Sequence, residues 1–129
     1  MTQVLLDTHA WVWSFTDDAQ LSAPARSAIE AASVVYVSPI SFFEIGQKVR
    51  HGKWPEMAPF ASKLGAILRN QGGIAAPLTP EICLHASLRI WEHRDPFDRL
   101  LASTAEILGI PFVTKDSVFG ELNAFRCVW

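Results

Sequence analysis

An α/β fold with a central, mostly parallel sheet is what this sequence predicts, and three observations carry the expectation. Short apolar runs at Val4–Leu6, Val34–Val37 and Ile110–Val113 read as strands. The segments between them read as helices, several opened by a capping residue with Pro close behind it. The first run shows no polar alternation before it ends in Asp7, as expected of a parallel strand covered on both faces. Strands alternating with helices imply βαβ units.

Taken in order, Val4-Leu5-Leu6 is the first strand, and the aromatic segment His9 to Phe15 is a short helix stopped by the polar Thr16-Asp17-Asp18. Ser22 before Ala23-Pro24 caps a helix reaching Ala32, and Val34 to Val37 is the next strand. Ser38-Pro39 opens a helix from about Ile40 to Arg50, with Gly52 as its stop and Lys48, Arg50 and His51 at its C-terminal end. Phe60, Leu64, Ile67 and Leu68 repeat at helical spacing, which predicts a helix from Pro59 to Asn70 before Gly72-Gly73. Ile74 to Leu78 is a weaker strand. Thr79-Pro80-Glu81 starts a helix running toward Glu92, and Asp95-Pro96-Phe97-Asp98 starts another that continues to Leu108 before Gly109. Ile110 to Val113 is a strand with Thr114-Lys115-Asp116 as its exit turn, Ser117 to Leu122 a short helix, and Arg126 to Trp129 a final strand.

The 129 residues suffice for one domain, 1–129, with a core that needs no staples, and an apolar content of 50% against 19% charged excludes a disordered chain. Eleven Lys and Arg against 13 Asp and Glu leave a net charge of −2, so bulk charge does not draw nucleic acid and any phosphate binding must be local. Cys83 and Cys127 lie far apart without C-x-x-C spacing, and the N-terminus lacks a basic stretch followed by a long apolar one; reduced thiols in a cytoplasmic protein are expected. No apolar run approaches the roughly 18 residues that would cross a membrane. The chain shows no internal repeat.

The chemistry lies in four acids, Asp7, Glu44, Asp98 and Asp116, each at the start of a predicted helix or just after a strand, so that all four can meet at the edge where strands deliver their carboxyl ends. Each also has an ordinary reading. Asp95 and Asp98 suit a helix N-terminus, Glu44 follows Ser41 at capping-box spacing, and Asp116 can cap the helix at Ser117. Asp7 resists such a reading, because a carboxylate directly after a buried run needs a hydrogen-bond partner or a cation. Four carboxylates with no Cys or His at ligand spacing favour Mg²⁺ or Mn²⁺ over Zn²⁺, and phosphodiester hydrolysis is the reaction such a site suits. There is no G-x-S-x-G elbow, P-loop or G-x-G-x-x-G.

Leu5-Leu6-Asp7-Thr8-His9-Ala10, Ser41-Phe42-Phe43-Glu44-Ile45, His93-Arg94-Asp95-Pro96-Phe97-Asp98-Arg99-Leu100-Leu101-Ala102 and Val113-Thr114-Lys115-Asp116 resemble the four signatures of PIN-domain proteins, specifically VapC-type toxins of toxin–antitoxin pairs. The resemblance spans nearly the whole chain. It implies an α/β/α sandwich, Mg²⁺- or Mn²⁺-dependent endoribonuclease activity and a cognate antitoxin. It assigns Asp7, Glu44, Asp98 and Asp116 to the metal and gives supporting roles to Thr114 and Asp95. Asp98 rather than Asp95 is favoured as the ligand because the Leu-Leu-Ala-Ser-Thr-Ala run after it has the family's spacing.

Lys48, Arg50, His51, Lys53, Arg94 and Arg99 are candidates for RNA phosphates, although a helix dipole also explains the late Lys and Arg, and Arg99 can pair with Asp95 at i, i+4. Trp11, Trp13, Trp54 and Trp91 are either core residues or a partner-binding patch, and a chain this rich in aromatics is expected to form a homodimer. Rival readings are a phosphoryl-accepting receiver or haloacid-type phosphatase, for which the paired acids after the first strand are missing, and a non-catalytic RNA- or protein-binding module on the same fold.

Overall fold

The computed structural model describes residues 2–129, and its centre is a five-stranded, all-parallel sheet in the order β3-β2-β1-β4-β5. The strands are β1 (Gln3–Leu6), β2 (Val34–Val37), β3 (Ile74–Ala75), β4 (Phe112–Val113) and β5 (Cys127–Val128). The helices are α1 (Thr8–Thr16), α2 (Ala23–Ala31), α3 (Pro39–Arg50), α4 (Leu64–Asn70), α5 (Pro80–Leu88) and α6 (Pro96–Leu108).

Side chains of one strand alternate between two cores. Val4 and Leu6 pack with Trp11, Ala25, Leu64 and Leu68 of α1, α2 and α4, whereas Leu5 packs on the other face with Leu101, Ala102 and Ala105 of α6. The sheet is thus the middle layer of an α/β/α sandwich, and the unbroken apolar run of β1 is explained by burial on both faces. The chain runs outward from β1 through β2 to β3, then returns to lay β4 and β5 on the opposite side. The strand order therefore reverses between β1 and β4, where the C-terminal ends of parallel strands leave a crevice.

Five predicted elements differ in extent. The helix expected over 59–70 begins only at Leu64; Met57, Phe60 and Lys63 instead donate their N–H groups to the carbonyls of Trp54, Met57 and Phe60, a run of i→i+3 turns that includes two 3-10 segments, Pro55–Met57 and Ala61–Lys63. The apolar spacing was real, since Leu64 and Leu68 are buried, but the turns before Leu64 are tighter than α-helical. The helix expected toward Glu92 stops at Leu88, where Arg89 is extended at φ −63°, ψ 142°. The short helix expected over 117–122 is present in 3-10 form, while the strands expected over 74–78, 110–113 and 126–129 shrink to the exposed edge pair Ile74–Ala75, to Phe112–Val113 and to Cys127–Val128. Ser41 is not a cap: Ser38 caps α3 by accepting the Ile40 N–H.

Candidate active site

Asp7 is the first residue after β1 and the N-cap of α1, so the chain turns sharply there and aims its carboxylate out of the strand edge. Its Oδ1 accepts the Thr8 N–H at 2.7 Å and its Oδ2 accepts the Thr114 hydroxyl at 2.7 Å. The Asp7 N–H donates to the Val113 carbonyl, which holds the residue in register with β4 across the reversal point. Burial pushes the Asp7 carboxyl up to about 7; the two donors oppose the rise, and the charges of Asp98 and Glu44 add to it.

Glu44 comes from the second turn of α3, beyond β2, and is buried. The fully buried Thr8 hydroxyl donates to its Oε1 at 2.7 Å. Because Thr8 has one hydroxyl proton and gives it to Glu44, the 2.8 Å contact between Thr8 and Ser41 is a hydrogen bond donated by Ser41. Lys48, one turn later in α3, holds the other carboxylate oxygen at 2.8 Å.

Asp98 lies in the first turn of α6, whose N-cap Asp95 accepts the Phe97 and Asp98 N–H groups at 2.8 and 3.2 Å. The Asp98 carboxyl is pushed up to about 6 by burial, against the hydrogen bond from His93 at 2.7 Å, with the charges of Asp95 and Glu44 raising it further. Glu44 and Asp98 are thus near enough to Asp7, and Glu44 to Asp98, to raise those carboxyls.

Asp116 stands differently. It leaves β4 through Thr114, is exposed, and its carboxylate caps the following 3-10 helix by accepting the Val118 N–H at 3.0 Å. Its own N–H donates to the Thr114 hydroxyl oxygen, so Thr114 bridges Asp116 to Asp7. Thr114 thus bonds the Asp7 carboxylate, and Asp95 is the N-cap of α6, as expected. Among the described residues no three acid, His or Cys side chains are gathered tightly enough to hold an ion as they stand; Thr8, Lys48, His93 and Thr114 each engage a carboxylate oxygen.

The basic candidates divide. Arg50, His51, Lys53 and Arg94 are exposed, and Lys48 is engaged with Glu44. Arg99 is not available to RNA and does not pair with Asp95: its guanidinium donates to the carbonyls of Ala86, Trp91, His93, Ser87 and Arg89, tying the end of α5 and the 89–93 loop to α6. Thr8, Ser41 and His93 are site residues for which the sequence predicted no role, although each lies within a stretch that carries one of the acids. Of the two readings of the tryptophans, the core one holds for Trp11, whereas Trp13, Trp54 and Trp91 are only partly buried. Trp11 is fully buried, with its indole N–H on Gln71, and the large exposed apolar side chains are instead Phe43, Ile74, Leu78, Leu84, Leu88 and Ile90. Cys83 and Cys127 are free thiols. No helix among the described residues is long and apolar enough to cross a membrane.

Comparison with known proteins agrees with this architecture. The chain is 33% identical over 117 residues to "Ribonuclease VapC22" of Mycobacterium tuberculosis (strain ATCC 25618 / H37Rv), an alignment covering 90% of this chain and 88% of the relative. Its fold resembles that of VapBC2 from Rickettsia felis bound to a DNA fragment from their promoter, with a TM-score of 0.64 at 16% identity over 98% of this chain and 97% of that one. It also resembles FitAcB from Neisseria gonorrhoeae, with a TM-score of 0.57 at 17% identity over 96% and 95% of the two chains. The sequence profile of the PIN domain matches residues 4–124, and with a parallel sheet that presents Asp7, Glu44 and Asp98 at its point of reversal, the chain belongs to the PIN-domain family.

Proposed function

We propose that this protein is a single-domain, Mg²⁺- or Mn²⁺-dependent endoribonuclease acting in the cytoplasm as the toxin of a toxin–antitoxin pair. The observation that carries the reading is the gathering of Asp7, Glu44 and Asp98 at the sheet edge, where burial and the neighbouring carboxylates raise Asp7 to about 7 and Asp98 to about 6 and only Lys48 supplies a paired positive charge, to Glu44. Such a cluster is short of positive charge, and its all-oxygen donors suit a hard divalent cation. The ribonuclease name of the Mycobacterium tuberculosis relative supports the reaction, and the resemblance to VapC-type toxins supports an antitoxin partner.

Asp7, Glu44 and Asp98, joined by Asp116 across Thr114, are the residues that would hold the metal. When bound, the cation supplies Lewis-acid polarisation of a phosphodiester oxygen and a water acidic enough to attack phosphorus. The remaining work is done by the chain. Thr114 and the Thr8 N–H orient Asp7, His93 orients Asp98, and the Ser41–Thr8 pair orients Glu44. Lys48 offsets part of the negative charge that an RNA phosphate meets on entry, and exposed Arg50, Lys53 and Arg94 hold the strand beyond it. An antitoxin would silence the site by placing an Arg or Lys among the acids. Leu84, Leu88 and Ile90, 61%, 77% and 100% exposed at the end of α5 and in the residues after it, support a homodimer through that face.

The test is incubation with a mixed single-stranded RNA in EDTA and in excess Mn²⁺. Cleavage only with Mn²⁺, lost in Asp98→Asn, supports the reading. Cleavage unchanged by EDTA would overturn the metal assignment, and RNA binding with no cleavage in any metal would leave a non-catalytic binding module.

A further inference from the structure

Beside the acids lies an open pocket of about 510 Å³ lined by His9, Trp13, Gln20, Trp54, Lys115 and Asp116, within the size range of ligand sites. The His9 ring lies on Trp54 with centroids 4.7 Å apart and planes 24° from parallel, and Trp13 stands 5.6 Å from His9 at 53°. Lysines overlie both indoles, Lys48 at 5.5 Å from the Trp54 centroid and Lys115 at 5.7 Å from that of Trp13. The wall is assembled from α1, the loop after α3 and the exit of β4, and Trp13 is braced from behind by Trp129. It is also continuous with the catalytic edge: His9 follows Asp7 by two residues, and Asp116 belongs to both.

Aromatic faces interleaved with ammonium groups answer a flat π-system joined to an anion, the chemistry of an unpaired nucleotide. We propose that this pocket receives one unpaired base of the RNA next to the bond being cut, stacked on the His9–Trp13–Trp54 wall. Lys115, which has no carboxylate partner among the described residues, holds the adjoining phosphate, and the exposed Gln20 amide, with donor and acceptor on one group, reads the base edge. The two lysines also argue against a cationic occupant such as a partner's arginine, which would meet the like charge of Lys48 and Lys115 there. The pocket rests on the nuclease reading and extends it to substrate choice: cleavage is confined to sites where a base can be splayed out of the strand.

The experiment measures binding and cutting separately. A fluorescein-labelled single-stranded RNA of mixed sequence is titrated in EDTA by anisotropy against wild type, Trp54→Leu, Trp54→Phe and Gln20→Ala, and the same RNA is then cut in Mn²⁺. Stacking of one base predicts a 5- to 150-fold weaker Kd for Trp54→Leu, roughly the 1–3 kcal/mol of a base–aromatic stack, with most of the affinity restored in Trp54→Phe. An otherwise identical RNA carrying abasic residues should bind wild type about as weakly as the intact RNA binds Trp54→Leu. Gln20→Ala, at an exposed position, should alter the ranking of U, A, C and G homopolymers while leaving the melting temperature in place. Unchanged RNA affinity in Trp54→Leu, with cleavage intact, would overturn the pocket and leave the nuclease reading standing; absence of RNA binding by wild type would overturn both. A tri-arginine peptide that competes for the wall while RNA does not would assign it to protein docking and overturn the proposal.

Discussion

Asp7 carries the sharpest consequence at the scale of single residues. Its folded carboxyl is raised from the ordinary 3.8 to about 7, and that of Asp98 to about 6, so the folded chain keeps protons that the unfolded chain releases. For raised acids the stabilising contribution is complete below about 4 and is lost as pH rises through about 6 and then about 7. Metal-free protein should therefore melt at a higher temperature at pH 5 than at pH 8, and Asp7→Asn, which removes the buried charge, should flatten that slope. In Mn²⁺ the order reverses, because the cation competes with these protons: the metal-induced rise in melting temperature should be larger at pH 8 than at pH 5 and largely absent in Asp7→Asn. Identical metal shifts in the two proteins would remove Asp7 from the site. Cleavage by Asp7→Asn should fall by about 100-fold or more, the scale of losing one group that stabilises transition-state charge. Thr8 gives a second check. Thr8→Val keeps its volume and deletes the donor to Glu44, which should cost about 1–3 kcal/mol in urea unfolding as well as activity.

At the scale of elements, Arg99 explains why α5 ends early. Its guanidinium takes carbonyls from the last turn of α5 and from the loop beyond, so those residues need no helical partner and the chain turns toward Asp95. The same loop carries His93 to Asp98. Arg99→Lys, with a single ammonium in place of a planar fork, should lower stability by about 1.5–3 kcal/mol and should also shift the pH dependence of cleavage, because a loosened loop releases His93. A pH profile matching wild type would show that the clamp holds only the fold. The local signals read well where the device is local: Ser22 with Pro24, Thr79 with Pro80, and Asp95 with Pro96 all cap the helices they announce. They failed at Phe60, where one apolar spacing fits both an α-helix and successive 3-10 turns, and at Ser41, whose hydroxyl was claimed by Thr8 of another element rather than by its own helix.

For the whole molecule, the sandwich leaves its most exposed apolar side chains, Leu84, Leu88 and Ile90, at the end of α5 and just beyond it. If that face joins two copies, Leu88→Asp with Ile90→Asp should convert a dimer to a monomer by light scattering, with the intrinsic stability of the monomer moving by no more than about 0.5 kcal/mol per exposed site. A wild type that is already monomeric at tens of micromolar would discard the dimer.

The order of residues alone determined the α/β class, the placement of Asp7, Glu44 and Asp98 at strand exits and helix starts, and the caps of the helices. These depend on neighbours a few positions away, through burial of short apolar runs and through N–H groups that a nearby side chain must satisfy. Tertiary structure decided which groups those acids meet. Glu44 is held by Thr8, Asp98 by His93, Asp7 by Thr114 at the far end of the chain, and Trp54 comes to rest on His9. These contacts arise because parallel crossovers carry every strand's C-terminal end to one edge, bringing together side chains from distant segments, and no local spacing records which of them will touch.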